Sequence, residues 1–320
     1  MKKLILYFLL MTSGFLMVSC EEDFSPKTAY KEKFILSCIV RGDTSLQMAT
    51  LSHSYSVSGF DPYENQIDPF IGGADIRIWH DDNVYFMKDT LLVRSDTSRY
   101  SEPIKCYYIK DFLPGSNEEM EIRAVLPTGK TLVGFTKLPQ SVTFTSESDA
   151  IIPPLDKDNF EFTWAGRNNT GWYLTRFSVY YKKNENGTDV FYRKEVPAGF
   201  IEENGRMIAK YPSPSRSTRV GFPISSLDSV FTWISQGDPN KSNYTITGGV
   251  LEVLIFDDNL SKYYSSINGF LDEFTIRVDE SDYTNITGGF GIFGSYIKQQ
   301  RGARITTEYI ESFGYVPANP

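Results

Sequence analysis

The chain has 320 residues, a formal net charge of −8, 24 Gly and 16 Pro, with 41% hydrophobic residues; it can bury a sizeable core and is neither disordered nor collagen-like. Two His and three Cys are too few for a zinc finger, a His-rich catalytic metal centre or a disulfide scaffold, and the acidic balance excludes electrostatic pursuit of nucleic acid. The 20 Tyr and 23 Phe, among plentiful Val, Ile and Thr, favour strands and a mainly β fold.

Lys2 and Lys3 precede an apolar run, Leu4 to Leu10, that continues through Phe15, Leu16 and Met17. This predicts a secretory signal over residues 1–19. Thr12, Ser13 and Gly14 interrupt the run, which is too short for a spanning helix of about twenty residues. It ends in Met17-Val18-Ser19-Cys20, which resembles the bacterial lipobox, in which the cysteine thiol takes a diacylglycerol before cleavage. Acyl chains on Cys20 would hold the chain to a membrane at about 0.8 kcal/mol per buried methylene. Glu21, Glu22 and Asp23 follow directly and resemble the surface-export signal of Bacteroidota lipoproteins, leaving residues 20–30 as a lipidated tether.

Phe34 to Val40 reads as a strand buried on both faces. Ala74, Ile76 and Ile78 alternate with Asp75 and Arg77, and after Asp81, Asp82 and Asn83 the chain returns through Val84 and Phe86 as a hairpin. Further short strands near 104–109, 119–125, 130–137 and 141–146, separated by Pro114-Gly115 and Pro127-Thr128-Gly129, complete an N-terminal sandwich over 31–146 of the transthyretin or immunoglobulin type. Cys38 and Cys106 each lie in an apolar run; they could pair as a disulfide or remain as two buried thiols.

Pro153 and Pro154 mark residues 147–158 as a linker. A C-terminal β-rich domain over 159–320, fibronectin-like with short helical insertions, begins with Phe160, Phe162 and Trp164 on one face. Asn186-Gly187 predicts a tight hairpin because both residues tolerate positive φ. Leu227, Val230, Phe231 and Ile234 have helical spacing, as do Leu260, Tyr263, Tyr264 and Ile267 behind a cap at Asp258.

Local signatures of serine hydrolases, P-loop enzymes and zincins are absent, so no catalytic residue, metal ligand or cofactor is assigned. His53 and His80 could each act as a base if a nucleophile met them, but His80 beside Asp81 and Asp82 reads as an exposed hairpin end, and that cluster as turn chemistry. Gly289-Phe290-Gly291-Ile292-Phe293-Gly294 spells GxGxxG without the strand before and helix after that a dinucleotide fingerprint needs; a glycine-rich strand is expected. Among adjacent aromatic pairs, Trp172-Tyr173 and Tyr180-Tyr181 are the candidate ligand contacts, since neighbours on a strand face opposite sides and one ring of each pair could point outward.

The segment Tyr283 to Gly294, with Asn285, Gly288, Gly289, Gly291, Phe293 and Gly294, resembles the C-terminal signature of a family of Bacteroidota outer-membrane lipoproteins catalogued as a domain of unknown function. The lipobox, the Phe34–Val40 strand, Gly73-Ala74-Asp75-Ile76-Arg77-Ile78, Pro114-Gly115 and Leu138-Pro139 fit the same layout. The resemblance implies an outer-membrane lipoprotein, often encoded beside TonB-dependent receptors, and supplies no catalytic residue. The expected function is a surface-exposed, non-catalytic binding or accessory subunit for nutrient uptake. Its partners would be the membrane, a TonB-dependent receptor and a glycan or peptide ligand, with no nucleic acid. A surface adhesin or scaffold is the alternative, and an envelope hydrolase the third reading.

Overall fold

The computed structural model describes residues 30–57, 59, 61–166, 171–268 and 283–318. The signal at 1–19, Cys20 and the acidic residues Glu21, Glu22 and Asp23 lie outside the described residues. The described chain is mainly β, 51% strand against 12% helix, with the layered sheets and short helices of the β-sandwich class.

The strands in chain order are β1 (Phe34–Arg41), β2 (Gln47–His53), β3 (Asp75–His80), β4 (Asn83–Phe86), β5 (Lys88–Leu92), β6 (Ile104–Ile109), β7 (Glu119–Val125), β8 (Thr131–Lys137), β9 (Val142–Phe144) and β10 (Ile151–Ile152). There follow β11 (Asn159–Gly166), β12 (Tyr173–Glu185), β13 (Thr188–Val196), β14 (Gly199–Glu203), β15 (Arg206–Lys210) and β16 (Arg219–Pro223), then helix α1 (Ile224–Ile234). The chain ends through β17 (Tyr244–Phe256), α2 (Asp258–Asn268), β18 (Ile286–Thr287), β19 (Phe290–Ile305), α3 (Thr307–Ser312) and β20 (Val316–Pro317).

A ten-stranded sheet carries the molecule, in the order β13-β12-β17-β19-β1-β2-β6-β5, with β10 and β20 attached to β19 and β17. A five-stranded sheet runs β18-β8-β7-β3-β4 and a three-stranded one β16-β11-β9, while β14 and β15 form a separate ribbon. Alternation builds the layers: Ile76 and Ile78 of β3, Met120, Ile122 and Ala124 of β7, and Leu132 of β8 point inward with Leu36, Cys38 and Val40 of β1. Phe160, Phe162 and Phe222 close on Phe177 of β12, with ring centroids 5.0–5.6 Å apart.

The sheets do not follow the boundary expected at 147–158. β1 runs parallel to β19, from Ile35 opposite Phe290 to Arg41 opposite Tyr296, so strands from both sides of that segment share one sheet. β9 pairs with β11 and β18 with β8. Within the segment itself Ser148 and Ile152 are buried and Ile151–Ile152 pairs with β19 as β10, while residues 155–158 are exposed. A single buried cluster spans residues 31–146 and 159–320.

Local signals placed the turns and helices well. Asn186 (φ 54°) and Gly187 (φ 87°) join β12 to β13 as the two-residue turn that positive φ permits. α1 buries Leu227, Val230, Phe231 and Ile234. The cap of α2 is Asp257 and not Asp258, because Asp257 Oδ1 accepts the Leu260 N–H at 2.7 Å; the side chain of Ile267 lies outside the described residues.

Cys38 and Cys106 are free and buried, which replaces the disulfide pairing with two thiols. Cys38 stands opposite Ala49 of β2, and Ala49 opposite Tyr107 of β6. Cys106 is therefore two strands away, about 9.6 Å, against a disulfide Cα limit of about 7 Å, and it points to the other face of the sheet. Burial pushes the Cys38 thiol up to about 12, keeping it protonated and inert.

Candidate functional site

A cleft among the described residues lies on the outer face of the five-stranded sheet and has a volume of about 1000 Å³. Inward-facing Ile76, Ile78, Met120 and Ile122 leave the opposite parity of the same strands toward solvent. On that parity Trp79 of β3 stands opposite Glu121 of β7, and Glu121 opposite Phe135 of β8. The result is a cross-strand row of ring, carboxylate and ring, with the two aromatic residues about 9.6 Å apart by strand spacing. Phe135 is 60% exposed. The Arg123 guanidinium lies 5.1 Å from the Trp79 ring centre and donates to Glu121 at 2.8 Å, fixing both side chains.

One wall is the segment Leu138-Pro139-Gln140; the other is the end of β17 and the first turn of α2, Phe256 to Asn259 with Lys262. That second wall is held by directional bonds. Asn259 Nδ2 and Asn285 Nδ2 each donate to the Phe135 carbonyl at 2.9 Å. Tyr283 Oη donates to Asn259 Oδ1 at 2.7 Å. Asp257 caps α2 through Oδ1, and Thr136 Oγ1 donates to its Oδ2. Burial, only partly offset by these bonds, pushes the Asp257 carboxyl up to about 6.

Five carboxylates line the cleft, Asp81, Glu119, Glu121, Asp257 and Asp258, against two lysines, Lys137 and Lys262. The surface is negative, so it favours hydroxyls, amines or cations over phosphate or nucleic acid. Asn117, Asn259 and Gln140 add amide donors and acceptors. Aromatic faces bordered by convergent polar groups can hold a polar ring by stacking and hydrogen bonding together.

The glycine-aromatic segment stands behind this cleft. Asn285 clamps the start of β19, accepting the Phe293 N–H at 2.9 Å and donating to the Phe293 carbonyl at 2.7 Å. Gly291 has φ 114°, and a Cβ there would collide with the Leu36 carbonyl of β1. A Cβ on Gly289 would come within 2.6 Å of the Phe34 carbonyl, and one on Gly294 within 3.1 Å of Leu260 Cβ. Gly288 precedes them in the turn from β18, at φ 85°. Gly291 and Gly294 lie within strand β19, where a dinucleotide site would need a helix N-terminus.

The four candidate ligand-contacting aromatics lie elsewhere. Tyr173 is buried against Trp164, centroids 5.5 Å apart. Trp172 is half-buried, its backbone N–H donating to Ser261 Oγ at 2.9 Å. Tyr180 and Tyr181 are half-buried on β12, Tyr181 stacked on Tyr192 at 5.5 Å. None of the four lines the cleft. Trp79 and Phe135 belong to no adjacent aromatic pair; for Trp79 the readable signal is a ring at the opposite parity to Ile76 and Ile78, whereas β8 alternates Leu132, Gly134 and Thr136 inward and marks Phe135 less clearly.

The two histidines do not meet. His53 Nδ1 lies 2.8 Å from the Ser54 carbonyl oxygen and 3.3 Å from Glu32. The His80 side chain is only 12% exposed, unlike the open hairpin end expected, because its Nε2 engages Glu118 Oε2 at 2.5 Å and its ring packs edge-on to Phe112. Neither a protein-family model nor a curated protein matches the chain.

Proposed function

We propose that the protein is a non-catalytic binding subunit of the bacterial cell envelope, lipid-anchored at Cys20 on the outer membrane and displaying the cleft to solvent, where it takes a glycan for a TonB-dependent uptake system. The observation that carries the binding reading is the row Trp79–Glu121–Phe135 on the cleft floor. Sugar rings present apolar C–H faces to aromatic rings and hydroxyls to carboxylates and amides, which matches this lining. The raised carboxyl of Asp257 does not argue for acid catalysis, since both of its oxygens are committed to Thr136 and the α2 cap. The lipobox ending at Cys20, the acidic residues behind it and the resemblance of Tyr283–Gly294 support the envelope placement.

The test is a thermal-shift screen of the soluble chain beginning at Glu21, against neutral oligosaccharides and, separately, short peptides. Saturable stabilisation by an oligosaccharide is expected, because a ligand that binds only the native state must raise its stability. Stabilisation by peptides alone reassigns the ligand, and stabilisation by neither removes the binding reading. For the anchor, Cys20→Ala in cells should abolish fatty-acid labelling and release the protein from membranes; membrane retention after a carbonate wash contradicts it.

A further inference from the structure

We propose that His80, Asp81 and Glu118 form a binding site for a divalent transition metal of the zinc class at the rim of the cleft. Each residue offers one ligand atom, and the three atoms lie within 4.8 Å of one another. They come from separate features of the fold. His80 ends β3 with its ring held by Phe112, centroids 5.7 Å apart and planes at 75°. Asp81 occupies the hairpin turn at φ 50°, and its carboxylate also lines the cleft. Glu118 precedes β7, and its Oε2 accepts the Gly115 N–H at 2.5 Å.

The donor set selects the metal. An imidazole nitrogen with two carboxylates suits zinc and its neighbours, whereas calcium and magnesium take oxygen ligands. Bonds of about 2.0–2.2 Å place tetrahedral ligand atoms roughly 3.3 Å apart. His80 Nε2 is 2.5 Å from Glu118 Oε2 and 3.9 Å from Asp81 Oδ2, values on either side of that separation. The nearly buried imidazole would stay in place while the two more exposed carboxylates, 39% and 71% accessible, adjust by less than about 1 Å. Three protein ligands leave a coordination position for water or for a hydroxyl of a ligand in the cleft. Without metal, the same contact is a strut joining the β3–β4 hairpin to the Pro114-Gly115 turn, so the experiment must separate a strut from a site.

Calorimetric titration of the soluble chain beginning at Glu21 with Zn²⁺ in a non-chelating buffer makes the separation, with Ca²⁺ as a parallel arm. One saturable Zn²⁺ site is expected, with no Ca²⁺ binding of comparable affinity. His80→Gln retains a hydrogen-bonding amide toward Glu118 and so preserves the strut; it should keep its metal-free melting temperature yet weaken Zn²⁺ binding by more than about tenfold. Glu118→Gln should also weaken binding, while His53→Gln should leave it unchanged. Absence of Zn²⁺ binding by the wild-type chain, equal binding by His80→Gln, loss on His53→Gln, or equal affinity for Ca²⁺ would each overturn the assignment.

Discussion

The Thr136 hydroxyl donates a hydrogen bond to Asp257 Oδ2 across 121 residues of sequence, joining β8 of the five-stranded sheet to the cap of α2. The bond closes the back of the cleft, and it sits on a residue that is 7% exposed. Its counterpart, Asp257 Oδ1, organises the first turn of the helix. One side chain thus couples the sheet under the cleft to its second wall.

That coupling is pH-dependent with a definite sign. Burial raises the Asp257 carboxyl from 3.8 to about 6, so the folded state holds its proton more tightly than the unfolded chain. The stabilisation is complete below about pH 4 and is lost as pH rises through about 6, a change of about 3 kcal/mol at most. Asp257→Asn still caps the helix and does not titrate. Denaturant unfolding at pH 4 and pH 8 should show the variant gaining on the wild type by up to about 3 kcal/mol at the higher pH. A gap independent of pH contradicts the assignment.

Gly291 should tolerate no side chain. Its φ of 114° and the Leu36 carbonyl leave no conformation or volume for one. Gly291→Val should cost about 3 kcal/mol or more from overpacking and backbone strain together. Added nucleotide should neither restore the melting temperature nor raise that of the wild type. Stabilisation of the wild type by nucleotide would contradict the structural role of the motif.

The shared sheet makes a prediction about fragments. Leu155 is 90% exposed while Ile152 is buried, so a specific protease site inserted between Leu155 and Asp156 should be cut without unfolding the protein. The two pieces should then co-elute in gel filtration, held by β1 against β19, β9 against β11 and β8 against β18. Separation into two folded species would contradict the shared sheet.

What could be read beforehand divides by sequence distance. The Asn186-Gly187 turn and the buried face of α1 are written in neighbouring residues, and both were legible. The parallel pairing of Ile35 with Phe290 joins residues some 250 positions apart, and nothing in either strand names its partner. For that reason the segment around Pro153 and Pro154 read as a linker. The cleft was half legible: alternation in 74–78 sets Ile76 and Ile78 inward and so turns Trp79 to the outer face that floors the cleft, but the strand order that lines it up with Phe135 arises only in the assembled sheet. His80 was misread because Glu118, 38 residues later, covers it.

The cleft is most directly tested by titrating the soluble chain calorimetrically with the oligosaccharide that stabilises it best, in parallel with Trp79→Ala, Phe135→Ala and Trp172→Ala. Loss of an aromatic platform should cost about 1–3 kcal/mol of binding, or roughly 5- to 150-fold in Kd. Trp79→Ala and Phe135→Ala should each show that loss with little change in melting temperature, and Trp172→Ala should bind as the wild type does. Undiminished binding by both cleft variants, or loss confined to Trp172→Ala, would place the ligand elsewhere and contradict the assignment of the cleft.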